Sequence, residues 1–99
     1  MERKTESISK NRYLEAMDET HQLLKEYYRH LADLGVETAE RGTRIQHAKW
    51  MCLQAQSLPD VGRANRWLGF IQGVLWTENV FDLSELREHS KYGEINERK

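Results

Sequence analysis

One segment constrains this chain more than any other: Arg66-Trp67-Leu68-Gly69-Phe70-Ile71-Gln72-Gly73-Val74-Leu75-Trp76. It gathers two tryptophans, a phenylalanine, four aliphatic residues and two glycines into eleven positions of an otherwise polar sequence. Apolar residues at 61, 64, 68, 71 and 75 follow the 3-4-3-4 spacing of one helix face. Trp67, Phe70, Val74 and Trp76 spread the apolar surface well beyond that face. A helix apolar all round needs cover on several sides. The segment is therefore expected to be the central element of the fold, or the core of an oligomer. It carries no catalytic group.

The same helical period runs through the rest of the chain. Lys10, Tyr13, Met17, Thr20, Leu24, Tyr27, Leu31 and Leu34 alternate by threes and fours, with Leu14, His21 and Tyr28 widening the stripe. Ser7 or Ser9 can cap this first helix, and Gly35 suits the residue that ends it. The spacing predicts a helix over 7–34. Ile45, Ala48, Cys52 and Ala55 form the face of a second helix, capped by Thr43, with Trp50 off that face. Ser57-Leu58-Pro59-Asp60 breaks the pattern, since proline suits the first turn of a new helix. The second and third helices make a hairpin over 43–76. Asp82-Leu83-Ser84-Glu85 resembles a capping box. It opens a short helix over 82–92 that turns Leu83 and Leu86 inward. Residues 1–6 and 94–99 are expected to be frayed tails. β-branched runs and two-residue alternation are absent. The expected fold is all-α: one domain in which a long N-terminal helix packs on an antiparallel helical hairpin and a short helix closes one end.

Length and composition bear on how such a bundle stays folded. A chain of 99 residues with 38% hydrophobic and 31% charged residues has a thin margin as a lone core. A first helix of about 40 Å is longer than one short partner can cover. Both points lead to the expectation of a homo-oligomer. The net charge of −1 is unevenly spread. Residues 1–40 carry six basic and nine acidic side chains, residues 41–76 five and one, and residues 77–99 four and six. A basic middle between acidic flanks permits an anionic partner, and equally permits head-to-tail self-association. The single Cys52 has no intramolecular disulfide partner. With no signal peptide and no apolar run of about 18 residues, the chain is expected to be cytoplasmic, away from membranes.

Several constellations are candidate sites. Glycine inside a helix costs about 1 kcal/mol against alanine. Gly69 and Gly73, four apart, are therefore expected to serve close packing by another helix, or to make room for Trp67 or Trp76. Trp50 and Trp76 are candidate partner-binding residues, because tryptophan is enriched in interface hot spots. Tyr13, Tyr27 and Tyr28 join them if the first helix outruns its cover. Arg41, Arg44, Lys49, Arg63 and Arg66 straddle the hairpin and are the candidates for nucleic acid or a small anionic nucleotide. A solvated helix face explains the same pattern, and the third helix is too apolar after Trp67 to lie in a groove of DNA. Asp18 with His21, and Glu85 with His89, have helical metal-ligand spacing. The second Glu-x-x-His motif of a carboxylate-bridged bundle is missing, and no metal is expected. Cys52 on an apolar face reads as a buried thiol. No phosphate loop, zinc spacing or nucleophile elbow is present. No enzyme activity and no cofactor are expected.

The stretch Asn65-Arg66-Trp67-Leu68-Gly69-Phe70-Ile71-Gln72-Gly73-Val74-Leu75-Trp76, followed by Leu83-Ser84-Glu85-Leu86-Arg87, resembles a segment in small helical proteins of tailed phages and prophages. In that family it follows a Trp-Met-Cys-like element, here Trp50-Met51-Cys52. The resemblance covers His47 to His89 and leaves out the long first helix. The family has no assigned chemistry, so the resemblance implies genome context and helical character and assigns no functional residue. The combined expectation is a non-enzymatic accessory protein that binds a host or phage protein. A binder of nucleic acid or nucleotide through the basic hairpin, and a purely structural component, are the alternatives.

Overall fold

The computed structural model describes residues 8–92 and residue 95, with side chains from 19 to 91 and at 95. The tails 1–7 and 96–99 lie outside the described residues, as do the side chains of Tyr13, Leu14, Met17 and Asp18. Among the described residues there are four α-helices and no strand: α1 (Ile8–Asp33), α2 (Arg44–Ala55), α3 (Val61–Thr77) and α4 (Leu83–Tyr92). This is the small all-α bundle that the sequence period implies.

The helix ends follow from local chemistry. At the end of α1, Gly35 takes φ +84. The Val36 N–H donates to Leu31 O at 3.0 Å and the Gly35 N–H to Ala32 O at 3.0 Å. This is a Schellman motif, which satisfies carbonyls that a helix end leaves without partners. The end of α3 repeats it. Asn79 takes φ 62, the Val80 N–H donates to Leu75 O at 2.8 Å, and the Asn79 N–H donates to Trp76 O at 3.0 Å. In both motifs a valine follows the left-handed residue and packs on the core. Thr43 and Gln46 form a reciprocal capping box at the start of α2. Asp82 and Glu85 do the same at α4: the Glu85 N–H donates to Asp82 Oδ1 at 2.9 Å and the Asp82 N–H to Glu85 Oε1 at 2.8 Å. The third helix starts one step later than its proline suggests. Asp60 is the cap and accepts from the Gly62 N–H at 3.0 Å, so Pro59 stays in the connection. Ser57 instead closes α2 by donating to Gln54 O.

Two side-chain bonds fix how the helices run. Thr20 Oγ1 donates to Asn65 Oδ1, and Gln72 Nε2 donates to the Tyr27 hydroxyl. Both pairs span 45 residues, so α1 and α3 are parallel and in register over two turns. The register sets Ala16 level with Val61, and residues 8–15 of α1 precede the start of α3. The Arg44 guanidinium at the start of α2 lies 3.1 Å from Glu78 at the end of α3, so α2 and α3 are antiparallel. The core between them is Leu23, Leu24, Tyr27 and Leu31 of α1, Cys52 and Ala55 of α2, and Leu68, Ile71 and Leu75 of α3. Phe81 and Leu86 close it from the α4 side. Leu23 belongs to this core although it lies beside the expected stripe, and Leu34 at the C-terminal end of that stripe is exposed. Ile95, in a stretch expected to be a tail, packs on the core, and its N–H donates to Glu26 Oε1 at 2.9 Å.

The left-handed Asn79 offers a test of this architecture. Replacing it with alanine costs about 1 kcal/mol, the penalty of a β-carbon in that region, while glycine there is neutral or stabilising. Thermal melts of Asn79→Ala and Asn79→Gly should fall on opposite sides of, or the glycine variant level with, the parent. Equal loss from both would remove the assigned role.

Candidate interaction surface

The exposed side of α3 is where the structure departs most from the sequence reading. This helix is not covered all round. Ala64, Leu68, Ile71, Val74 and Leu75 are buried, but Phe70 is 56% exposed and Trp76 is 51% exposed. At about 100° per residue, Gly69 and Gly73 fall between these two rings, on the side opposite the core. A β-carbon added at either glycine would meet nothing within 4 Å. The expectation that Gly69 and Gly73 admit another helix of this chain is therefore wrong. The other three helices all lie on the remaining sides of α3, and the glycines leave a shallow trough open to solvent.

α4 forms one wall of that trough. Leu83 was expected to point inward, yet it is 45% exposed, because the cap at Asp82–Glu85 turns the first residue of the helix outward. Gln72, Gly73 and Trp76 of α3 and Leu83, Leu86, Arg87 and Ser90 of α4 line a groove of about 300 Å³. Trp76 separates it from a second hollow of about 290 Å³, lined by Asn79, Val80, Phe81, Asp82 and Glu85. Leu83 lines the groove and Phe70 is exposed outside it, on the far flank of the glycines, and the sequence reading named neither as a contact residue. The available signal was that Phe70 sits off the 61-64-68-71-75 stripe, next to Gly69 and three before Gly73.

The remaining candidates are dispersed. Tyr27, expected as a partner-facing ring, is 0% exposed and sits at the centre of the core. Tyr28 is half-buried: its hydroxyl lies 3.4 Å from Thr38 Oγ1 and Lys49 Nζ stands 4.8 Å above its ring. Lys49 itself is only 6% exposed and donates to Val36 O at 2.8 Å. Its ammonium anchors the 36–42 connection and is withdrawn from any outer basic face. Trp50 is half-buried and stacked on His47, with ring centroids 5.4 Å apart. Arg41, Arg44, Arg63 and Arg66 are exposed. The antiparallel hairpin puts the first pair at one end and the second pair at the other, about 20 Å apart along α3. Arg44 is further engaged by Glu78. The five basic residues do not form one patch.

From the wall of the groove a polar network runs into the core. The Gln72 amide donates to the Tyr27 hydroxyl at 3.1 Å and to Ser90 Oγ at 3.2 Å. The Tyr27 hydroxyl is 2.7 Å from His89 Nδ1. It donates its own proton there when the imidazole carries its hydrogen on Nε2. Phe81 packs edge-on to His89, with centroids 4.6 Å apart. Burial holds the His89 pKa below its ordinary value, against the opposing pull of Glu85, Glu26 and Glu88 and with a smaller push from His30 in the same direction. Burial also raises the Tyr27 pKa and pushes the Cys52 thiol up to about 12. Cys52 is thus a protonated core thiol at neutral pH. Among the described residues no group of three or more His, Cys, Asp and Glu side chains could hold a metal ion. Nor is any described helix long and apolar enough to cross a membrane. No protein-family model, curated protein or solved structure matches the chain.

Two measurements test this geometry. Gly69→Ala and Gly73→Ala should each raise stability by about 1 kcal/mol, the full gain in helix propensity, because the added carbon meets open space. A lower melting temperature in either variant would mean that something covers the trough. The second concerns acid. With the folded pKa of His89 depressed, the unfolded chain binds the proton more readily. This contribution to stability is complete above the unfolded value of about 6.5 and is lost as pH falls below it. Melts between pH 7.5 and 5 should fall more steeply for the parent than for His89→Gln. Parallel slopes would show that the imidazole is not held neutral.

Proposed function

We propose that this chain is a non-enzymatic accessory protein that docks a protein partner on the exposed α3–α4 face. The observation that carries the reading is the exposure of Trp76 and Leu83 on one groove between α3 and α4, with Phe70 exposed on the far flank of the Gly69–Gly73 step. Large apolar side chains scattered singly are ordinary, but a contiguous group is the signature of a contact surface. Tryptophan and phenylalanine supply binding energy when a partner excludes water from them, and the polar rim of Arg66, Thr77 and Arg87 supplies orientation. The buried titratable groups support the non-enzymatic part, since Tyr27, Cys52 and His89 are used in packing and in the hydrogen-bond network. The attribution to a phage or prophage, acting in the cytoplasm of its host on a host or phage protein, rests on the resemblance of the 47–89 segment alone. The nucleic-acid alternative is weakened by the separation of Arg41 and Arg44 from Arg63 and Arg66 and by the burial of Lys49.

The test compares three immobilised proteins in lysates of host and phage-infected cells. The parent should retain a protein that the Phe70→Ala/Trp76→Ala variant loses, since hot-spot truncations cost about 2 kcal/mol or more each. A variant with Arg41, Arg44, Arg63 and Arg66 all changed to Glu should retain it with a slower on-rate. If the charge variant loses its ligand, the aromatic variant keeps it, and retention of nucleic acid falls steeply with salt, the nucleic-acid reading replaces this one.

A further inference from the structure

We propose that the groove between α3 and α4 takes an acidic segment of a partner protein, with one apolar side chain entering between Trp76 and Leu83 and a carboxylate about 6 Å further on meeting Arg87. This rests on the docking reading of the face and adds the chemistry of what docks there. What selects an acidic occupant is the charge around the groove. Of the residues that line it, Arg87 alone is charged. Arg87 is exposed, and among the described residues no carboxylate pairs with it. The facing wall, α3, carries Arg63 and Arg66 and no acidic residue along its whole length. Arg66 lies seven residues before Gly73, within about 20° of it around the helix and about 10 Å along the axis. It is exposed and extends the positive field beyond the groove. The acids of α4 face elsewhere. Glu85 caps the helix and lines the other hollow, and Glu88 is turned about 100° from Arg87.

The groove is also polar at one end and apolar at the other. Trp76 and Leu83, both exposed, make the apolar end, beside the turn that joins the two helices. Leu86, buried between the helices, lies under it. Gln72 and Ser90 close the other end with a bond of 3.2 Å. Arg87 stands toward that end, four residues beyond Leu83 and about 6 Å further along α4. An apolar side chain and a carboxylate at that separation are two residues apart in an extended segment, or three to four apart in a helix. The apolar side chain gains by leaving water, and the charge-assisted bond to the guanidinium fork sets the direction of docking. A basic segment would meet Arg87 and Arg66 with like charge. A nucleic-acid backbone is held by rows of cations on successive phosphates, and a single guanidinium in an apolar lining does not supply them.

Selection from a displayed library of random peptides on the whole immobilised chain tests the proposal. Retained peptides should pair Leu, Ile, Met or Phe with Asp or Glu at those spacings. Fluorescence anisotropy of one labelled, selected peptide then reads the contacts. Leu83→Ser and Trp76→Ala should each weaken its binding about tenfold. Arg87→Glu should weaken it about as much, and should gain affinity for the same peptide with its acidic residue changed to Lys. That exchange separates recognition by Arg87 from a general loss of structure. If Arg87→Glu fails to fold, Arg87→Gln takes its place and should bind the acidic and the Lys peptides alike. Enrichment of basic peptides, or of apolar ones without an acidic residue, overturns the inference, as does an Arg87 variant that binds the acidic peptide unchanged. So does retention of a single-stranded oligonucleotide that Leu83→Ser leaves intact and salt abolishes, which hands the face to nucleic acid. A selection that enriches nothing also overturns it, and a protein sedimenting at twice 11.8 kDa would then show a second copy on the face. Apolar peptides without acids that still require Trp76 leave the docking reading standing, whereas loss of all Trp76-dependent binding removes both.

Discussion

The hydroxyl of Tyr27 is the group on which the arrangement of the helices depends. It lies in the core, away from water, where an unsatisfied polar atom costs about 1–3 kcal/mol. Two side chains meet the requirement, and they come from different helices: Gln72 from α3 and His89 from α4. Satisfying one oxygen therefore positions three elements at once. The parallel register of α1 and α3 follows, because Gln72 can reach Tyr27 only if Asn65 is level with Thr20. The placement of α4 follows as well, since His89 must point inward, and this turns Leu83 and Arg87 toward the groove. The exposed face and the buried network are two sides of one constraint.

Charge does less for this fold than its abundance suggests. Arg44 and Glu78 hold the open end of the hairpin, but such exposed pairs contribute about 1 kcal/mol at most. Lys49 is the exception. Buried cations are rare and must be paired or bonded. Here a backbone carbonyl and an aromatic face replace the water that the ammonium gives up. The result ties the connection after α1 to the middle of α2.

The sequence was most legible where the physics is local. Gly35, Thr43 and the Asp82–Glu85 pair mark helix ends that the structure has within a residue or two, because capping depends on neighbours in the chain. The apolar stripes of α2 and α3 were equally readable, since Ala48, Cys52, Ala55, Leu68, Ile71 and Leu75 all face inward. What could not be read was which apolar faces find cover. A repeat of threes and fours says that Tyr27 and Leu31 share a face. It does not say whether the tyrosine is a core residue or a contact. The same holds for Gly69 and Gly73: the spacing shows a smooth face, and only the three-dimensional position of the other helices shows that none of them lies on it. Lys49 was misassigned for a related reason, as a charge next to an apolar stripe is usually solvated.

The way α4 is attached has a consequence for motion. Ten residues of helix do not persist alone in water, so α4 exists only while docked. Its anchors are Phe81, Leu86 and the imidazole of His89. Protonating that one ring weakens one of these three anchors, and undocking the segment also takes Phe81 and Leu86 from the core that α1 to α3 share. α4 is thus a short segment docked on a three-helix frame by few side chains, the kind of element that opens at lower free energy than the whole. Amide hydrogens of 83–92 would exchange ahead of those in α1 to α3, and acid would widen the gap. The groove, made jointly by frame and segment, lasts only as long as the two remain together.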